Sequence, residues 1–142
     1  APTIDFDGSG TITGKAHADR GGDRRQSGIG FEFVRQYAAD GWTVHAGVRN
    51  PAASAPLRAL GADRVSIHAL DVDDRDQIKA LAAALDGAPI DLLINNAGIW
   101  VGDDEKYGRF SDDQWMAQFS THVFGAMAMC EALVDNDRKS VV

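Results

Sequence analysis

From residue 28 onward the apolar positions alternate between two rhythms. Compact unbroken runs are separated by stretches in which hydrophobic residues recur every three or four positions. Phe31, Val34, Tyr37 and Ala38 share one helical face, and Gly41 follows as a stop. Trp42 to Val48 reads as a strand closed by Arg49-Asn50-Pro51. A short helix is predicted from Pro51 to Leu60, with proline in its first turn and Gly61 beyond its end. Val65 to Leu70 is the next strand, closed by Asp71-Val72-Asp73-Asp74. The helix after it places Ile78, Leu81, Ala82 and Leu85 on one side. Pro89 keeps that helix out of the run Ile90 to Ile94. This run lacks polar alternation, as a strand buried on both faces of a parallel sheet should.

A loop then leads to Ser111-Asp112-Asp113-Gln114, a capping box in which Ser111 and Gln114 satisfy each other's backbone amides. Asp112 and Asp113 suit the positive end of the helix it opens. That helix is expected to carry Trp115, Phe119, Val123, Ala126, Cys130 and Leu133 as one apolar stripe. Residues 138–142 look like the start of a further strand. Strands alternating with helices over short links predict an α/β fold: a doubly wound parallel sheet of about five strands.

Residues 1–27 do not follow this pattern, so the chain divides into an irregular segment 1–27 and a folded domain 28–142. Residues 1–6 and Thr11-Ile12-Thr13 are possible short strands, with Asp7-Gly8-Ser9-Gly10 as a turn between them. Residues 15–27 are polar and carry Gly21-Gly22, as a loop or disordered insert does. Residues 5–16 also match much of a calcium-binding loop: Asp5, Asp7, Ser9, Gly10 and Ile12 fall at its positions 1, 3, 5, 6 and 8. The bidentate glutamate required at the twelfth position is replaced by Ala16, which leaves calcium a minor alternative.

The 142 residues are enough for one domain with a real core. A net charge of -7 argues against a nucleic-acid or anionic-membrane surface. No apolar stretch reaches transmembrane length. The single cysteine, Cys130, excludes an internal disulfide and any CxxC metal site, and its place on the apolar stripe suggests a buried thiol. His17, His45, His68 and His122 show no metal-ligand spacing and read as structural or solvent-facing, so no metal is expected. The expected location is a reducing cytoplasm.

The Ile90–Ile94 run ends in Asn95-Asn96-Ala97-Gly98. Two amides are followed by two residues too small to obstruct a ligand, at the strand end where open α/β sheets bind ligands. Together with Thr13-Gly14, Gly28-Ile29-Gly30, Phe31 to Trp42, Arg49-Asn50-Pro51 and Leu70-Asp71-Val72, in that order, this set resembles the short-chain dehydrogenase/reductase family. The likeness is closest to its carbonyl-reductase-like or C-factor-like members. The resemblance implies a nicotinamide dinucleotide as partner. Gly14, Gly28, Ile29 and Gly30 would form the glycine-rich turn, where helix-terminal amides meet the pyrophosphate. Arg49 stands where an acidic residue would bind the ribose of NAD, and a cation there favours NADP(H) over NAD(H). Asp71 and the Val72 backbone would bind adenine, and Asn95, Ala97 and Gly98 the ribose–nicotinamide side.

Three departures temper that reading. Thirteen residues separate Gly14 from Gly28, where the family has three. His122 occupies the position of the family's asparagine on the long helix. The sequence also holds no catalytic serine and no Tyr-x-x-x-Lys, since Tyr37 and Tyr107 are followed four residues later by Gly41 and Ser111. By resemblance the protein is an NADPH-dependent oxidoreductase of carbonyl or alcohol substrates, while these residues alone should not catalyse. The alternative is a non-enzymatic truncated interaction or regulatory module, or the product of an interrupted reading frame. An incompletely covered apolar stripe implies a homo-oligomer or a self-associating chain.

Overall fold

The computed structural model describes residues 9–13, 28–85, 88–101 and 110–134. The elements in chain order are β1 (Ser9–Thr13), α1 (Ile29–Ala39), β2 (Thr43–Val48), a 3-10 turn (Pro51–Ala53), α2 (Ala55–Arg58), β3 (Val65–Ala69), α3 (Arg75–Ala84), β4 (Leu92–Asn95), α4 (Asp112–Phe119), a π-helical turn (Ser120–Gly125) and α5 (Ala126–Leu133). The described strands form one parallel sheet in the order β3-β2-β1-β4. The expected short strand at 1–6, Gly14, the polar insert at 15–27 and the strand at 138–142 lie outside the described residues.

β1 corrects the reading of the N-terminal segment. Ser9 and Gly10 were expected in a turn, but both belong to the strand. Ser9 lies opposite Thr43 and Gly10 opposite Val44 and Leu92. The sheet therefore begins inside the segment 1–27 and not at residue 28. A calcium loop over 5–16 needs its sharp glycine turn at Gly10. Gly10 instead has extended backbone paired to strands on both sides, while residues 5–8 and 14–16 of that loop lie outside the described residues.

Two apolar clusters explain why the sheet is wound in two directions. Val34, Val44, Ala46, Val48, Leu57 and Val65 make one, packed by α1 and α2. Leu70, Val72, Ile78, Leu81, Leu85, Ile90, Leu93, Ala128, Met129 and Leu133 make the other, under α3 and α5. Val44, Ala46 and Val48 alternate along β2, so one face of the sheet meets α1 and the opposite face meets α3. The chain steps outward from β1 to β3 and then returns past β1 to β4. This reversal leaves a crevice at the carboxyl ends of β1 and β4.

The helix predicted over Pro51 to Leu60 divides at Ser54, and Pro56 supplies the reason. A continuous helix needs an amide at position 56 to meet the Ala52 carbonyl, and proline has none. Arg58 reaches back instead, its Nη2 donating to Ala52 O at 2.8 Å and its Nη1 to Pro51 O at 2.5 Å. Gly41 ends α1 at φ 88°, a left-handed conformation that glycine adopts without strain.

The long C-terminal helix also departs from its expected phase. The capping box forms as predicted: Gln114 N donates to Ser111 Oγ at 3.2 Å, and Ser111 N to Gln114 Oε1 at 2.9 Å. After Phe119, however, a π turn slips the helical phase. Trp115, Phe119 and Val123 expose 47%, 48% and 39% of their surfaces, while Ala128, Met129 and Leu133 are buried. Cys130 is half-buried, not buried.

His45 and His68, read from the sequence as structural or solvent-facing, meet across β2 and β3. His45 lies opposite Ser66 and Gly47 opposite His68, so the imidazoles touch on the diagonal, with His45 Nδ1 and His68 Nε2 3.1 Å apart. Burial, with the neighbouring charge of His68 added, pushes the His45 pKa down, and burial pushes His68 down as well. The unfolded chain therefore takes up these protons first. Stability is complete above the ordinary histidine value of 6.5 and falls as pH drops through it toward the lower folded-state values. Urea midpoints measured at pH 7.5 and 5.5 should thus differ more for the parent than for a His45→Gln/His68→Gln variant. Equal pH slopes would show that the pair contributes nothing to the dependence.

Candidate functional site

Arg49 follows β2 directly, is exposed, and makes no ion pair among the described residues. The loop beneath it is well tied. Asn50 Oδ1 accepts from Ala53 N at 3.3 Å, and Ser54 Oγ donates to Asn50 O at 3.0 Å. Arg58 adds its two bonds to the same turn, so the base of Arg49 is held while its guanidinium faces solvent.

β3 ends in the Asp71–Asp74 cluster, whose three carboxylates have separate tasks. Asp74 caps α3, accepting from the Gln77 amide and side chain and from the Asp76 amide, and these bonds hold its pKa below the usual carboxylate value. Asp71 Oδ1 accepts from Asp73 N at 3.1 Å, and Asp71 N donates to Gln77 Oε1 at 2.8 Å. Asp73 turns away from α3 altogether. Its two oxygens accept from Ser120 Oγ and Thr121 Oγ1, each at 2.6 Å. Val72 is buried in the core, so only its backbone can face a ligand.

Asn95 is the last residue of β4 and lies opposite Thr13 of β1. Its Nδ2 lies 3.6 Å from Cys130 Sγ. Ala97 packs against the core below α5. Gly98 has no room for a side chain, because a Cβ there would come 2.8 Å from His122 Cε1. The His122 ring continues to the next residue, its Nε2 lying 3.2 Å from Ile99 N and 2.8 Å from Ile99 O. One ring nitrogen can accept from the amide or donate to the carbonyl, but not both at once.

α1 supplies the remaining edge. Gly28 is its N-cap and gives no side-chain hydrogen bond, and a Cβ built there would meet no atom of the described residues within 4 Å. Ile29 is 70% exposed and Gly30 is buried. The strand register brings Arg49, Asp71, Val72, Asn95, Ala97 and Gly98 to the carboxyl edge of one sheet; Gly14 lies outside the described residues.

Residues 25–140 match the short chain dehydrogenase family. The chain belongs to that family. Among individual relatives, it is 34% identical over 127 residues to a Streptomyces antibioticus protein named "Probable oxidoreductase", covering 86% of this chain and 40% of the relative. Of solved structures, a Burkholderia multivorans chain, "Putative short-chain dehydrogenase/reductase … with bound NADP", superposes with TM-score 0.71 at 27% identity, over 92% of this chain and 55% of that one. A carbonyl reductase from Pseudomonas aeruginosa PAO1 shares the fold with TM-score 0.77 at 24% identity, over 92% and 56% of the two chains. The chain spans 40% or less of the length of the first curated relatives it matches. The parallel α/β sheet expected from the sequence is thus the sheet of this family.

Local pattern carries no sign of what Asp73, Ser120 and Thr121 do. Asp73 resembles any acid ahead of a helix, and its partners lie 47 and 48 residues away. Among the described residues no group of three or more metal-ligating side chains occurs, and no helix is long and apolar enough to cross a membrane.

Proposed function

We propose that this chain forms the dinucleotide-binding part of an NADP(H)-dependent oxidoreductase acting on a carbonyl or alcohol. The observation that supports this best is the reversal of the strand order at β1 and β4, with Arg49, Asp71 and Asn95 at or just past strand ends along one edge. The residues suit such a ligand. Among the described residues nothing fills the space beside Gly28 or caps the first amides of this eleven-residue helix, which favours an anion. Gly28, Ile29 and Gly30 would meet the pyrophosphate, with Gly14 before them. Arg49 would pair with the 2′-phosphate, Asp71 and the Val72 backbone would hold adenine, and Asn95, Ala97 and Gly98 would flank the ribose and nicotinamide. A bound NADP(H) supplies hydride transfer. The 142 residues offer no Tyr-x-x-x-Lys to move the accompanying proton, so they should bind without turning over.

Calorimetric titration tests this reading. NADPH should bind more tightly than NADH, and Arg49→Ala should erase a preference of about 1.5–3 kcal/mol, the range for a hydrogen bond to a charged group. Equal affinities in the parent would remove the assigned role of Arg49. Sustained oxidation of NADPH with an aldehyde or ketone would show that another residue provides the proton. No binding of either nucleotide would favour the non-enzymatic interaction module.

Self-association belongs to the same proposal. Trp115, Met116, Phe119, Phe124 and Met127 expose between 47% and 56% of their surfaces. Trp100, Phe110, Trp115 and Phe119 form a chain of ring contacts with centroids 5.2–6.3 Å apart. Contiguous apolar surface of this kind is costly to leave in water. Sedimentation at micromolar concentration should give a species heavier than one chain; a monomer over the whole range would refute it.

A further inference from the structure

We infer that Asp73 is a positioning residue that, acting through the π turn, sets the backbone on the nicotinamide side of the crevice. The inference rests on the proposed nucleotide reading and extends it to residues with no assigned role. Three contacts in series carry it. Asp73 is anchored at the adenine-side loop, where its own amide donates to Asp71 Oδ1 at 3.1 Å. Its carboxylate takes hydrogen bonds from Ser120 and Thr121, the first two residues of the π turn, each at 2.6 Å. The next residue, His122, covers Gly98 and hydrogen-bonds the Ile99 backbone through Nε2, which lies within reach of both its amide and its carbonyl.

The turn has a second seat on the same loop. A Cβ at Gly125 would lie 2.9 Å from Val72 Cγ2 and 3.0 Å from Val72 O, so the turn's last residue rests directly on Val72. Both ends of Ser120–Gly125 are therefore referenced to Asp71–Asp73, and His122 projects from between them to Ile99. A π turn costs helical regularity and persists where surrounding contacts impose it. Two charge-assisted hydrogen bonds from one carboxylate are such contacts. The adenine loop does not depend on them in return, because Gln77 and the buried Val72 side chain hold it.

Residue-resolved amide exchange, with titration of NADPH and of adenosine 2′,5′-bisphosphate, tests the inference on the parent, Asp73→Ala, Asp73→Asn and Ser120→Ala/Thr121→Val. In Asp73→Ala the Ile99 amide should exchange about tenfold faster, the scale of one lost hydrogen bond. Under the same conditions, amides of β2 and β3 should be unchanged. NADPH affinity should fall about tenfold while affinity for the bisphosphate, which lacks the nicotinamide half, stays within about twofold. Asparagine at 73 keeps an acceptor and should restore most of the protection. The Ser120/Thr121 pair should reproduce the alanine phenotype from the other side of the contact. Unchanged Ile99 exchange in Asp73→Ala would overturn the inference, as would equal weakening of both nucleotides. If the parent binds neither nucleotide, the function reading fails, and the Ile99 exchange and its reversal by asparagine still decide the role of Asp73.

Discussion

Met129→Ala should destabilise the fold by about 2–5 kcal/mol, the usual range for truncating a buried methionine. Met129 has no exposed surface and belongs to the cluster in which α5 meets Leu70, Val72, Ile78, Leu81 and Leu93. Among the described residues Met129 and Val44 are the largest fully buried side chains. Its unbranched thioether fills the gap between the sheet and α5, a space that the surrounding residues cannot close after truncation. Small domains are stable by about 5–15 kcal/mol, so the loss removes a large share of the total. Met129→Leu conserves volume and should cost less than about 1.5 kcal/mol. Urea unfolding with an unchanged slope reads both numbers. A loss below about 1 kcal/mol for alanine would mean that the core is not closed around this side chain.

The next largest effect is expected at Gly125. A Cβ there approaches the Val72 carbonyl oxygen to 3.0 Å as well as the Val72 side chain, and a backbone oxygen cannot rotate away. Gly125→Val should therefore cost about 3 kcal/mol, near the top of the common range for overpacking. Gly125→Ala should cost less, since alanine recovers about 1 kcal/mol of helix propensity against the clash. Because Gly125 and His122 belong to one turn, lifting the turn from Val72 should also loosen His122 from Ile99. Nuclear magnetic resonance of the His122 ring, measured beside thermal unfolding, separates this displacement from general loss of stability. Valine tolerated within about 0.5 kcal/mol would show that the turn is not seated on Val72.

Much of this architecture was legible from local pattern. The unbroken runs at Val65–Leu70 and Ile90–Ile94, the alternating helical stretches and the Ser111/Gln114 box depend on contacts a few residues long. Their predicted elements appear with small boundary shifts. The positions of Arg49, Asp71 and Asn95 were equally readable, because each stands at or just past the end of a strand and parallel strands share one carboxyl edge.

The misplaced features share a different origin. Ser9 and Gly10 look like turn residues, yet pairing with β2, and for Gly10 with β4 as well, overrides weak local preference. Pro56 signals a helix boundary, but only Arg58 folded back onto Pro51 and Ala52 shows how the break is satisfied. The stripe from Trp115 to Leu133 assumed a constant turn per residue, and the π turn changes that angle midway. Its cause lies in Asp73 and Val72, about 50 residues earlier in the chain, and no window the length of one helix contains both partners. His45 and His68 are 23 positions apart and become neighbours only when β2 and β3 pair. Periodicity reports which face an element can bury; which distant residue meets that face depends on strand order and register, which set the phase of the π turn and bring His122 against Ile99.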